Sequence, residues 1–287
     1  MATSNDTSTD VPSGSRGDDA PKPPLAIVFT DIVKSTAMWE KDSSAMSEAM
    51  FIHDSLIRDL SNIHGGYEVK QNGDGFMIAF QSAVSALNFC LDVQIKLQEQ
   101  DWPEALLELE PGKPVVEDES ENDGQGEAQR TVLWKGLRLR MSTHFGEPVC
   151  KWNEVIQRMD FLGPAVNRAA RFISACEGGQ IVVSEEFLAE LKTARRDTVG
   201  EDGLISVNAQ AESAGCLELG LEELQSEKML GDVVDTRFEV RLLGERHFKG
   251  VSEDQKLFFI VPKLLHGRLN YFPRHMYVQP SKGNLTG

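Results

Sequence analysis

Two carboxylates stand where secondary structure changes. Asp31 follows the apolar run Leu25 to Phe29, at the point where a buried strand gives way to polar helix formers. Asp74 lies in the stretch Gln71-Asn72-Gly73-Asp74-Gly75, between two runs of alternating apolar residues. Asn-Gly between such runs predicts a β-hairpin with Asp74 at its tip. If the hairpin pairs beside the first strand, both side chains converge at one sheet edge. Two such carboxylates repel each other unless a cation lies between them. Mg2+ suits them, because it takes hard oxygen ligands from one or two carboxylates and completes its shell with phosphates. That arrangement serves phosphoryl transfer with two metals. Taken singly, either residue has a plainer explanation: Asp31 caps the next helix, and Asp74 suits a turn.

A third stretch adds chemistry of another kind. In "MDFLGPAVNRAARF", Asp160 precedes a helix on which Asn167 and Arg171 stand four residues apart, on one face. The small apolar neighbours Ala165, Val166, Ala169 and Ala170 predict that this helix packs closely on another element. An Asn and an Arg projecting from it can meet a sugar and a phosphate, since the planar guanidinium matches phosphate oxygens. On their own the two residues also fit a solvated polar face.

The elements that must position these groups follow from periodicity. Leu25 to Phe29 is the first strand. Met46, Met50, His53, Leu56, Ile57 and Leu60 form one stripe of a helix running from about Ser35 to Ile63, which Gly65-Gly66 ends. The hairpin covers 67–80, and a second helix covers roughly Ser82 to Gln100. Leu137, Leu139 and Met141 alternate as a strand, and Pro164 opens the helix of Asn167 and Arg171. Ile181 to Val183 predicts a strand, Glu185 to Lys192 a helix, and "RFEVRLLG" with "KLFFIVP" a closing pair of strands. The order predicts an α+β domain over 24–263, with helices packed on one face of a mostly antiparallel sheet.

Two acidic insertions interrupt it, near 111–130 and 194–232. The first has six acids from Glu117 to Glu127 and no Lys or Arg, which predicts a mobile surface segment. Residues 1–23 read as a disordered leader and 264–287 as a C-terminal tail. The formal net charge of -16 argues against nonspecific binding to nucleic acid or to an anionic membrane. Cys90, Cys150, Cys176 and Cys216 form no CxxC pair, so reduced thiols and a cytoplasmic setting are expected. No secretory signal is visible, and no run approaches the length of a membrane span.

"AIVFTDIVKST", "YEVKQNGDGFMIAF" and "MDFLGPAVNRAARF", in this order, resemble the catalytic domain of class III nucleotidyl cyclases, whose sheet is ferredoxin-like or palm-like. With "QEQDWPEALLELE", the chain is most similar to the fungal and protist adenylyl cyclase branch. The resemblance implies that Asp31 and Asp74 hold two Mg2+ or Mn2+ ions, with the Ile32 carbonyl as a further ligand. It implies that Asn167 orients the ribose, that Arg171 stabilises charge at the α-phosphate, and that Lys249, in "HFKGVSED", meets the terminal phosphates. It also implies a homodimer whose two sites are shared between chains.

For the base, the resemblance points to Lys70 and Asp160, a pair that selects adenine, where guanylyl cyclases carry a Glu/Cys type of pair. The chemistry agrees. Lysine donates to the adenine N1 acceptor, ionised Asp accepts from the amino group, and guanine offers the reverse pattern. ATP is then the substrate. One position departs from the family: Glu147 follows Gly146 where many relatives carry a basic residue. Two other readings remain open at this stage. One is a guanylyl cyclase; the other is a catalytically silent cyclase-like domain that binds nucleotide and regulates. A diguanylate cyclase palm shares the carboxylate logic but needs a GGDEF signature that this chain lacks.

Overall fold

The computed structural model describes residues 20–118, 130–196 and 237–273. Its frame is a seven-stranded sheet. Strand β1 (Leu25–Ile32) lies near one side, followed along the chain by α1 (Ser35–Lys41), α2 (Ser43–Ile63) and the hairpin strands β2 (Tyr67–Asn72) and β3 (Gly75–Phe80). Then come α3 (Ala83–Lys96), the short α4 (Glu104–Leu107), β4 (Val115–Asp118), β5 (Arg130–Trp134), β6 (Leu139–Gly146), β7 (Val149–Asn153) and β8 (Arg158–Leu162). Helix α5 (Pro164–Phe172), β9 (Ile181–Ser184), α6 (Glu185–Arg196), β10 (Phe238–Arg246) and β11 (Gln255–Pro262) complete the order. The sheet runs β10-β11-β9-β6-β1-β3-β2, and within it only β6 and β9 pair in parallel.

Alternation along β1 divides the core in two. Ala26, Val28 and Ile32 face a large cluster built with Met46, Ala49 and Ile57 of α2, Leu87 and Phe89 of α3 and Phe187 of α6. Leu25 and Ile27 face the other way, onto Ala165, Val166 and Ala169 of α5 and Phe161 of β8. Leu25, Ile27 and Val28 are fully buried, and each apolar side chain so buried is worth about 2 kcal/mol. The α+β class stands as expected. The one-sided helix layer holds for α2, α3 and α6, while α5 covers the opposite face. Helix α5 can do so because its inner residues are small. Ala170, expected among those inner residues, is exposed.

Several boundaries differ from the sequence reading. The long first helix is two, broken at Asp42, whose carboxylate accepts a hydrogen bond from the Ala45 N–H and starts α2. The first acidic insertion is partly strand: β4 pairs with β5 across residues 119–129, which lie outside the described set. Most of 194–232 also lies outside it. A β7–β8 hairpin, not foreseen, carries Asp160. Residues 264–270, read as the start of a tail, belong to a 3-10 helix, Lys263–Asn270, with Arg268 fully buried. Its guanidinium donates to the Leu133 and Gly179 carbonyls and to Gln94 Oε1, and it lies 4.9 Å from the Trp134 ring centre.

Candidate active site

Strand β1 keeps one neighbour longer than the other. Its pairing with β3 ends at Phe29, whereas its pairing with β6 continues through Ile32. Asp31 therefore sits inside a strand, two residues beyond its last β3 partner, instead of after the strand's end. Alternation puts it on the same face as Leu25 and Ile27, the α5 side. Ile32 points to the core and is buried, so only its backbone carbonyl is available to a ligand.

The hairpin tip is fastened to this edge. The Phe76 N–H donates to Thr30 Oγ1 at 3.0 Å. A Cβ on Gly75 would come within 2.6 Å of the Thr30 carbonyl oxygen, so only glycine allows the approach. The turn itself is Gly73-Asp74, with Gly73 at φ +65°. Asp74 Oδ2 is buried and has no hydrogen-bond partner among the described residues. Asp31 is paired: Arg140, opposite it on β6, donates from Nε to Asp31 Oδ2 at 2.6 Å. An unsatisfied buried carboxylate oxygen, on a tip tied to the strand of Asp31, is a hard oxygen donor of the kind a divalent cation takes. Among the described residues no group of three or more His, Cys, Asp or Glu gathers, so other ligands must complete such a shell.

Lys70 and Asp160 meet. Lys70 Nζ donates to both Asp160 oxygens, at 2.8 and 3.1 Å. A bulge in the β2–β3 ladder makes this possible. Glu68 pairs with Ile78 and Lys70 pairs with Met77, which leaves Val69 as an extra residue. In a regular strand of the same length, Lys70 would share the α2 face with Glu68. With the bulge, Lys70 turns to the β8 side. Asp160 is held there by the Phe161 N–H at 2.9 Å, and β8 is tied to β2 by the Met159 N–H donating to the Tyr67 hydroxyl at 2.9 Å.

The remaining expected residues form no side-chain hydrogen bond or ion pair with these among the described residues. Asn167 and Arg171 are exposed on α5, and neither side chain has a partner among the described residues. Lys249 is exposed in the β10–β11 turn, beside Gly250 at φ +83°. In sheet order β10 stands four places from β1. Helix α5 is set by buried polar contacts beneath it: Ser142 Oγ donates to the Ala169 carbonyl at 2.7 Å, and the His144 ring meets Phe172 edge-on at 6.0 Å. Burial pushes the His144 imidazole down to about 4, against the pull of Glu186 and with the help of Arg168.

Sequence reasoning missed Arg140, the Thr30 and Tyr67 hydroxyls and the bulge at Val69. Arg140 carried a faint signal, as a cation alternating with Leu139 and Met141 in a predicted strand.

The profile of the adenylate and guanylate cyclase catalytic domain matches residues 18–218. This chain belongs to that family. It is 39% identical over 259 residues to an adenylate cyclase of Mycosarcoma maydis, covering 85% of this chain and 10% of that protein. It is 35% identical over 257 residues to an adenylate cyclase of Podospora anserina, covering 89% and 11%. The chain thus spans about a tenth of the length of these curated relatives. A solved adenylate cyclase structure from Trypanosoma brucei, described as monomeric, superposes with a TM-score of 0.59 at 25% identity, covering 87% of this chain and 95% of that one. Divalent metal use is general in the family. No helix among the described residues is long and apolar enough to cross a membrane.

Proposed function

We propose that this chain is an adenylyl cyclase that converts ATP to 3′,5′-cyclic AMP and pyrophosphate. The observation that carries the choice of ATP is the Lys70–Asp160 contact. A lone donor and a lone acceptor, preset against each other on β2 and β8, match the N1 and amino group of adenine. They oppose the edge of guanine, so both contacts would fail together with the wrong base. The names of the fungal relatives agree with this reading.

In this reading Asp31, Asp74 and the Ile32 carbonyl hold two Mg2+ or Mn2+ ions. When bound, the metal pair supplies activation of the ribose 3′-oxygen and takes up charge on the leaving phosphates. Lys70 and Asp160 grip the base, and Asn167 orients the ribose. Arg171 offers its guanidinium to the charge that grows at the α-phosphate, and Lys249 meets the terminal phosphates. The 3′-oxygen forms its bond to the α-phosphorus in line, the bond to pyrophosphate breaks, and the hydroxyl proton leaves to solvent. No side-chain nucleophile is required.

The exposed Asn167 and Arg171, unpartnered among the described residues, support a homodimer in which each site is shared. Metal carboxylates come from one protomer; base, ribose and α-phosphate contacts come from the other. We place the enzyme in the cytoplasm, where Cys90, Cys150 and Cys176, all free, would stay reduced. The test is incubation with ATP and with GTP, each with Mg2+ or Mn2+, followed by detection of the cyclic nucleotide. Cyclic AMP formed in preference to cyclic GMP is expected. The reverse preference would make it a guanylyl cyclase, and no product in either case would make it a silent domain.

A further inference from the structure

The face of the hairpin turned toward α2 carries a polar network that the reaction itself does not use. Gln71 lies at its centre, directly between the base-side Lys70 and the metal-side tip. Its amide nitrogen donates to Asp54 Oδ2 at 2.9 Å and to the Gly73 carbonyl at 3.2 Å. Its amide oxygen accepts from Arg58 Nη2 at 2.7 Å. Turning the amide over would set its oxygen against a carboxylate and a carbonyl and its NH2 against a guanidinium, so these partners fix one orientation. The partners are themselves held. Arg58 forks onto Glu68 at 3.0 and 3.3 Å and lies 5.1 Å from the centre of the Phe76 ring. Asp54 Oδ1 bonds His53 Nδ1 at 2.9 Å, and His53 is fully buried. Burial alone would raise the Asp54 carboxyl, but the bonds from His53 and Gln71 outweigh it and hold it below the usual carboxylate range.

The carbonyl that Gln71 holds belongs to the peptide unit ending in the nitrogen of Asp74. Around that unit the chain is loose by composition. Gly73 and Gly75 flank Asp74, and nothing lies within 4 Å of where a Gly73 Cβ would be. A two-residue turn between glycines has many conformations to lose on ordering. The Gln71 bond removes some of that freedom on the α2 side, as the Phe76–Thr30 bond does on the β1 side.

We infer that Gln71, clamped between Asp54 and Arg58 of α2, is a positioning residue that presets the Asp74 carboxylate for the divalent cation. The inference rests on the metal assignment of Asp74 made above. Partners behind a metal ligand orient it, and their loss weakens metal binding. Helix α2 becomes a lever on the metal site: any displacement of Asp54 and Arg58 reaches Asp74 through one side chain.

The test uses the full chain with Gln71→Leu, which keeps size and removes all three bonds, and with Asp54→Asn as a second variant should the first fold poorly. Two quantities are read. Hydrogen exchange of the 67–80 segment without metal should speed up in Gln71→Leu, while the β10–β11 pair keeps its protection. Mn2+ affinity, read from the free-ion electron paramagnetic resonance signal in the presence of 3′-deoxy-ATP, should fall about tenfold. Mn2+ affinity within twofold of wild type in a folded variant would overturn the inference. Asp74→Ala is the control: if it too binds Mn2+ as wild type does, the metal assignment falls and the inference with it. If only Asp74→Ala weakens binding, the metal assignment stands and the role of Gln71 does not.

Discussion

The β1–hairpin edge and the outer face of α5 hold their charged groups in opposite conditions. At the edge nearly every polar side chain has a partner in the same chain: Asp31 with Arg140, Lys70 with Asp160, Gln71 with Asp54 and Arg58. On α5, Asn167 and Arg171 stand exposed without one among the described residues. The first region is organised before anything binds; the second is rigid in backbone and open in side chain. An edge so prepared can hold cations for one site and present a base reader to the other. A bare Arg and Asn on a packed helix become useful only when something is brought against them, whether nucleotide alone or nucleotide together with a second protomer.

The harshest way to break the comparison is to strip the edge. Asp74→Ala and Asp31→Ala should each lower ATP turnover about a thousandfold or more, because several kcal/mol of charge stabilisation is lost. The melting temperature should move by only a few degrees, since neither carboxylate supports the core. Substantial residual turnover in either variant would remove the metal assignment.

Next is the division between the two regions. Asp31→Ala and Arg171→Ala should each be nearly inactive alone. If the regions serve one site from two chains, mixing them gives hybrid dimers in which one site holds both lesions and the other neither. With free exchange about half the dimers are hybrid, and each has one good site of two, so roughly a quarter of wild-type activity should return. A mixture as inactive as its components, with exchange shown by mass spectrometry of labelled chains, would place both regions in one chain's site.

The base pair tests how far the edge is prepared. Lys70→Glu with Asp160→Cys should shift the ratio of ATP to GTP use by about tenfold or more toward GTP. An unchanged ratio in the double variant would free these residues from base reading.

The smallest effect concerns the ground under α5. His144 is buried, neutral and depressed to about 4, below the ordinary unfolded value of about 6.5. Between those values the unfolded chain takes up a proton that the folded chain refuses. Stability is therefore full above about pH 6.5 and declines as pH falls toward 4, by on the order of 3 kcal/mol. Urea unfolding at pH 7 and pH 5 should show this decline in wild type and a smaller one in His144→Asn. An equal decline in both would move the acid sensitivity elsewhere.

Much of this was legible in the sequence because it rests on local pattern. The β1 run, the hairpin about Asn72 to Gly75, the Pro164 helix start and the spacing of Asn167 and Arg171 each occupy a few consecutive residues. What could not be read depends on register between distant strands. Arg140 faces Asp31 only because β6 runs antiparallel to β1 with Leu25 opposite Gly146, a pairing no single stretch announces. The β7–β8 hairpin was hidden because its strands are half-exposed and lack clean alternation. The two helix layers were merged into one because a helix of small residues and a helix of large ones look equally amphipathic along the chain. Only the parity of β1 separates them.

The Val69 bulge bears on how such a hairpin can change over time. Point substitutions in 67–80 alter one side chain at a time. Deleting Val69 would close the bulge and leave Lys70 opposite Met77 on the β8 side, while Asp74, beyond the ladder, would stay at its turn. The hairpin could in this way shorten by one residue and keep both its base contact and its metal carboxylate. Length between Glu68 and Lys70 is therefore a freedom of the site in its own right, one that substitution counts alone would overlook.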